Sequence, residues 1–555
     1  RAMVVHSDLP YPEGLAAAEI LKVGSASHEE VTTDKKKSTG MRDIVQGTAL
    51  AGIIGLCANG FHILSSEFSY WLSFGRATTQ IPLGFSMALL GAGYLIGIAS
   101  GMAILVGTVL AWAIFVPYLT SVLSPAEGQA AAAFAKTVWA QKVRFIGAGT
   151  IGIAAIWTLI KLLGPVIDGI KMSISAIREN DSAEKKALHH TDIDMSPKSV
   201  GLVFLAILAG LFFTFYTFVA EAGLPGTVTL IYIVIGIVVA VLMGFFVAAA
   251  CGYMAGLIGS SSSPISGIGI IATIIISLIL LMIGEAGGLF ADEGNRQFLL
   301  ALTLFCGTAI IAAACISNDN LQDLKTGYLL KATPWRQQIA LIIGTIVGSL
   351  VLSPVLELLY QSYGFAGAMP REGMDPSLAM NAPQATIMTT IAKGIFSRDL
   401  QWNYIFTGMG IGAAAILFNL WLKKATHGRM TVPPLAIGMG IYLPPMITPP
   451  LIVGAFLAAI TNHLIRKRYQ DSEPRLKNAE RIGTLFAAGL IVGESLIGVI
   501  LAFIIVISVT SGGSDAPLAI TPANWGATAE WLGLAAFIAC VAVFARRVLI
   551  AARQK

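Results

Sequence analysis

Only 12% of the 555 residues are charged, against 55% hydrophobic, and the mean hydropathy is +0.76. A soluble domain carries roughly 25% charged residues, so this chain cannot cover a water-facing surface with charge, and lipid must meet much of it. The net charge of +5 fits Lys and Arg gathered in cytoplasmic loops and makes no case for nucleic acid.

The apolar runs are continuous rather than alternating, which disfavours a β-barrel. They predict an all-α integral membrane protein: a polytopic helical bundle with broken or re-entrant helices and internal repeats, forming a single transmembrane domain over 1–555. In chain order the candidate spans are 43–64, 82–118, 143–163, 198–220, 227–258, 266–284, 297–317, 338–360, 403–422, 431–465, 482–510 and 527–548. The run 82–118 is too long for one crossing of a bilayer by a helix, and Gly97, Gly101 and Gly107 would divide it into two. A shorter run, Ala382–Phe396, contains Pro383 and Lys393 and suits a re-entrant piece. Basic clusters between the spans place loops 22–42 and 174–198 in the cytoplasm and 361–402, with its re-entrant segment, outside. The chain begins at Arg1 inside a polar stretch, so further helices are expected upstream.

Between Lys423 and Arg466 a single apolar run has basic flanks at both ends, so it should enter the membrane and return, with a single kinked span and a misplaced loop as the alternative. Its centre, Tyr442-Leu443-Pro444-Pro445-Met446-Ile447-Thr448-Pro449-Pro450, holds two Pro-Pro pairs that no unbroken helix accommodates. Broken backbone at membrane depth is tolerated where it lines a cavity or is buried in protein. A second break is expected at Gly259-Ser260-Ser261-Ser262-Ser263-Pro264-Ile265-Ser266-Gly267, where hydroxyls could bind a polar solute. An ordinary interhelical turn is the alternative.

Among ionisable groups, Glu494 lies deepest, near the middle of 482–510, and is the candidate for exchanging a proton during transport; a glutamate simply hydrogen-bonded between helices is the alternative. Asp323, in Ser317–Tyr328 just past an apolar run, could face a water-filled vestibule or sit in a solvated loop. Asn59 places an amide inside the first span. Trp71 and Trp112 lie near span ends, as in an aromatic belt. The five cysteines are scattered without CxxC spacing and suit buried positions rather than disulfides or metal ligands. No P-loop, dinucleotide fingerprint or HExxH occurs, so no cofactor or metal is expected, and an embedded enzyme would lack a catalytic set.

Together, Leu9–Glu19, Ala255–Gly267, Asn318–Tyr328, Ala382-Pro383-Gln384-Ala385 and Gly438–Pro450 resemble, in order, the motifs of the oligopeptide transporter family. Its relatives include the yellow-stripe-like metal–chelate transporters, and Ala382–Ala385 points to the prokaryotic branch. The resemblance implies about sixteen helices around a central pathway and uptake driven by a proton gradient. Short peptides or glutathione-like molecules are the first expected solutes, metal–chelate or siderophore complexes the second, with a passive channel or embedded enzyme weaker alternatives. The expected solute-binding residues are Ser260, Ser261, Ser262, Ser263, Pro264, Ser266, Asn59, Tyr442, Pro444, Pro445 and Gln384, with Glu494 and Asp323 in proton coupling. Expected partners are the solute, protons and membrane lipid in a bacterial inner membrane; assembly into a homo-oligomer stays open.

Overall fold

The computed structural model describes residues 3–5, 9, 11, 14–15, 17–18, 21, 39–125, 128–154, 156–157, 160, 190–258, 265–288, 292–365, 379–380, 382–397, 402–469, 473–511, 513–514, 516–522 and 524–553. The apolar runs become helices. In chain order the elements are α1 (Thr39–Gly55, prolonged by a π-turn at Leu56–Gly60), strands β1 (Glu67–Phe74) and β2 (Ala77–Gly84), α2 (Met87–Val109, prolonged by a π-turn at Leu110–Phe115), α3 (Val116–Val122), α4 (Ala131–Val138) and α5 (144–154). There follow α6 (Pro197–Ala220), α7 (Gly226–Ile258), α8 (Ile265–Ala286), α9 (Glu293–Leu329), α10 (Pro334–Tyr363) and α11 (Pro383–Ser397). Last come α12 (Trp402–Ala425), α13 (Pro434–Tyr442), α14 (Thr448–Tyr469), α15 (Glu473–Thr510) and α16 (Gly526–Ala551).

Among the described residues, ten helical segments are long and apolar enough to cross a membrane. Their outer faces agree with lipid as the solvent: on α6, Leu202 is 70% and Phe213 67% exposed, far more apolar surface than water would tolerate on one helix. The protein is a polytopic helical membrane protein.

The chain forms two compact units. One comprises Arg1–Thr33, Ala155–Val351 and Pro383–Leu400; helices α6 to α9 and α11 enclose a core around Phe215, Ile276, Cys306, Ile310 and Ala392. The other comprises Asp34–Ala154, Leu352–Ala382 and Gln401–Lys555. It holds two cores, one around Leu90, Phe486, Leu490 and Phe544 and one around Ile104, Trp112, Trp139 and Ile441. In this second unit Gly107 of α2 meets Ile437 and Gly440 of α13 backbone to backbone, the close approach that small residues permit between membrane helices.

Three features differ from the sequence expectation. The long run 82–118 begins as the end of a strand: β1 and β2 pair antiparallel in register Glu67↔Gly84 through Phe74↔Ala77 around a two-residue turn, Gly75-Arg76. Gly75 supplies φ +64°, as such a turn requires. The helix starts only at Met87 and breaks at Gly97, whose φ 76°, ψ 173° is non-helical; this is the first of the three glycines at which a division was expected. Second, Ser317–Tyr328 is no solvated loop but the last turns of α9. Asn318, Gln322 and Thr326, spaced by four, form one buried face, while Asp319 and Asp323 point to the exposed one. Third, Trp112 is buried to 4% exposure rather than placed in an interfacial belt.

Candidate functional site

The predicted interruption in 431–465 is present, in the second unit. Helix α13 ends at Tyr442 and α14 begins at Thr448, with Leu443–Ile447 in between. Proline explains the form. Pro444 and Pro445 cannot continue α13, whereas Pro449 and Pro450 fall in the first turn of α14, where a missing N–H costs nothing. Such a break leaves a carbonyl-rich helix end and an amide-rich helix start close together. Leu443 N–H donates to Met439 O at 2.8 Å, and the Trp139 indole N–H donates to Ile441 O at 3.3 Å. Tyr442 is buried, and Arg144 Nη2 donates to its hydroxyl at 2.8 Å. A guanidinium at the carbonyl end of a half-helix is electrostatically well placed.

The β-ribbon closes the other side of the break. Gly84, the last residue of β2, packs so tightly that a Cβ there would collide with the Met446 carbonyl oxygen. Two residues later Ser86 caps α2, accepting from Leu89 N–H at 3.1 Å. Here Glu494 enters. Its Oε1 accepts from Ser86 Oγ–H at 2.7 Å and its Oε2 from Ala88 N–H at 2.8 Å. The half-buried carboxylate on α15 thus sits on the N-terminus of α2, where negative charge is favoured. Glu494, Ser86, Gly84 and Met446 therefore form one connected path from the ionisable group to the broken helix.

In the first unit, three motifs that lie far apart in the sequence converge. Helix α7 ends near Ile258 with orphan carbonyls. Gln322 Nε2 donates to Ala255 O at 2.7 Å, and Tyr11 N–H donates to Gly256 O at 2.9 Å. Gln322 Oε1 also accepts from Gly14 N–H at 2.8 Å, and Thr326 Oγ1 donates to Gly14 O at 3.0 Å. Lys325 Nζ donates to Val4 O and lies 5.4 Å from the Tyr11 ring. The segment resembling the family's N-terminal motif is thus a strap that caps α7 just before the serine run. One turn from Gln322, Asn318 is 1% exposed with neither amide atom hydrogen-bonded.

Of the expected solute-binding residues, Tyr442, Pro444 and Pro445 lie at the break. Ser260, Ser261, Ser262, Ser263 and Pro264 lie outside the described residues; Ser266 and Gln384 are placed by backbone alone, in the first turns of α8 and α11. Asn59 is exposed in the π-turn after α1, and Asp323 is exposed on α9. Sequence reasoning missed Arg144, Trp139, Gly84 and Ser86. Among the described residues no group of three or more His, Cys, Asp or Glu could hold a metal ion.

Comparison with known proteins agrees with this architecture. The family model described as "OPT oligopeptide transporter protein" matches residues 1–505. The chain is 52% identical over 549 residues to a Haemophilus influenzae protein named "Putative oligopeptide transporter", covering 99% of this chain and 85% of the relative. A rice protein (Oryza sativa subsp. japonica) named "Probable metal-nicotianamine transporter" is 23% identical over 513 residues, 89% of this chain and 68% of its own length. A Saccharomyces cerevisiae protein also named "Putative oligopeptide transporter" is 26% identical over 240 residues, 43% of this chain and 29% of the relative. The chain belongs to the OPT oligopeptide transporter family and is a transporter rather than an enzyme.

Proposed function

We propose that this chain takes up short peptides, glutathione-like molecules included, in symport with protons across a bacterial inner membrane. The observation that carries the reading is the path from Glu494 through Ser86 and Gly84 to the Leu443–Ile447 break. A broken helix offers backbone groups to a solute at its two half-helix ends, and here Tyr442, Pro444 and Pro445 line it. Ionised, Glu494 accepts two hydrogen bonds and holds the start of α2. Once protonated, it loses its charge and one acceptor site, so its grip on α2 weakens and the ribbon end at Gly84 is released against Met446. Solute binding at the break and proton binding at Glu494 would in this way bias the same pair of elements. Ser260, Ser261, Ser262, Ser263, Ser266 and Gln384 are further solute-binding residues in this proposal, and Asp323 a further proton-exchanging one. Lys423–Arg429 and Arg466–Arg468 at the two ends of the α13–α14 segment support a piece that enters and returns from the cytoplasmic side.

A second solute class is favoured by one observation, the name and 89% coverage of the rice relative: a metal–nicotianamine-like chelate in place of a peptide. Competition separates the two. Uptake of a labelled tripeptide should be inhibited by excess unlabelled tripeptide and by glutathione. Inhibition by a ferric chelate alone would hand the site to the second class.

A further inference from the structure

An unexplained stack of rings and cations adjoins the break in the second unit. The Arg144 guanidinium lies between two aromatic faces, 5.1 Å from the Trp139 ring centroid and 4.5 Å from that of Tyr442. Trp139 stacks on Trp112 at 6.0 Å and 28°, and Trp112 meets Trp71 edge-on at 6.5 Å. Trp71 pairs across the ribbon with Gln80. Directly opposed residues share a face of a ribbon, so the Gln80 amide lies on the side of the ribbon that carries Trp71 toward Trp112.

Polar atoms in this stack lack partners. Gln80 is 3% exposed and neither amide atom is hydrogen-bonded; Trp112 is 4% exposed with its indole N–H unpaired; Arg144 Nε is buried and unpaired. No carboxylate among the described residues pairs with Arg144. Leaving one buried polar group unsatisfied costs about 1–3 kcal/mol, so several in one place call for a ligand that satisfies them. The chemistry of the donor set is specific. A half-buried guanidinium lying over two aromatic rings is a good carboxylate receptor. An amide offering both a donor and an acceptor matches a peptide bond, which offers the same pair.

We propose that Arg144, held between Trp139 and Tyr442, binds the C-terminal carboxylate of the solute, while Gln80 and the Trp112 N–H engage its last peptide bonds. This rests on the peptide-uptake reading and deepens it: the solute must carry a free carboxylate. Arg144 is one indole ring away from Trp112, a span that two or three residues of extended peptide cover at about 3.3–3.6 Å each. The hydrogen bond from Arg144 to the Tyr442 hydroxyl would report carboxylate binding directly to the end of α13.

The test is a binding titration on purified protein in detergent, read by the tryptophan fluorescence of the stack, with trialanine and trialanine amide as probes. The free acid is expected to bind about ten-fold or more tighter than the amide, as one lost charge-assisted hydrogen bond implies. R144Q should erase that preference, and R144K should keep part of it through charge alone. Q80L provides the control against simple misfolding. Because no protein partner is lost, its thermal midpoint should hold or rise, while trialanine binds about ten-fold more weakly. Equal binding of acid and amide, no saturable binding of trialanine, or a destabilised Q80L with unchanged affinity would each overturn the subsite. Uptake in proteoliposomes judges the transport reading separately. Peptide uptake indifferent to amidation sinks the subsite and spares the reading; acid-selective binding without uptake does the reverse.

Discussion

The contact between Glu494 and Ser86 allows the coupling idea to be tested by a double-mutant cycle. E494Q keeps the length of the side chain but removes its charge, turning a charge-assisted bond from Ser86 Oγ (2.7 Å) into a neutral one. It also sets an NH2 group where one of the two donors now points. Hydrogen bonds to charged groups contribute about 1.5–3 kcal/mol against roughly 1 for neutral ones, and loss of negative charge at a helix N-terminus adds about 0.3–1 kcal/mol. S86A removes the same bond and also the cap on Leu89 N–H, worth about 0.5–2 kcal/mol. Because both substitutions delete one shared interaction, the double variant should be less destabilised than the sum by about 1–2 kcal/mol. Unfolding in mixed micelles measures the cycle, and uptake at pH 6 and pH 8 measures its consequence. S86A should retain pH-dependent uptake with altered amplitude, and E494Q should lose the dependence altogether. Strict additivity of the two substitutions, to within about 0.5 kcal/mol as for independent sites, would refute the reasoning, as would an unchanged pH profile in E494Q.

Three other outcomes follow from the packing. G84V puts a side chain into the Met446 carbonyl; overpacking of this kind costs about 1–3 kcal/mol, so uptake should collapse while the protein still inserts, as judged by uptake normalised to membrane-embedded protein. Q322L preserves volume but leaves Gly14 N–H and Ala255 O without their partner. A loss of about 2 kcal/mol or more is expected, seen as faster proteolysis of the strap that carries Tyr11 and Gly14. Arg547 Nε donates to Asp43 Oδ1 at 2.5 Å, and Asp43 is fully buried. R547Q should therefore destabilise by about 3–5 kcal/mol, and D43N added to it should restore part of the loss, because an unpaired buried charge is the costlier state.

How much was legible in the sequence depended on the range of the forces involved. The spans were visible because burial in lipid requires long uninterrupted apolar runs, and α6, α12 and α16 fall within a few residues of where those runs place them. The break at Pro444 and the kink at Gly97 were visible because proline and glycine act on their own backbone. The β-ribbon was missed at its junction. Ile81-Pro82-Leu83 is apolar enough to extend a helical run, and only the alternation of the large apolar Phe68, Tyr70 and Leu72 with the Gly75-Arg76 turn signals strands. Nothing local marked the buried face of Asn318, Gln322 and Thr326, since the polar composition of 317–328 resembles a loop until the four-residue spacing is counted. The Arg144 stack was beyond reach: Trp71 on the β-ribbon and Tyr442 at the end of α13 meet its two ends from distant parts of the sequence, and tertiary packing alone brings them together.

The most direct test of the central claim is uptake by proteoliposomes carrying the protein, with labelled tri- to pentapeptides offered under an imposed inward proton gradient. The account predicts accumulation that collapses on adding a protonophore, competes with glutathione and is lost in E494Q. Peptide movement indifferent to the gradient, or accumulation of a ferric chelate with no peptide taken up, would contradict it.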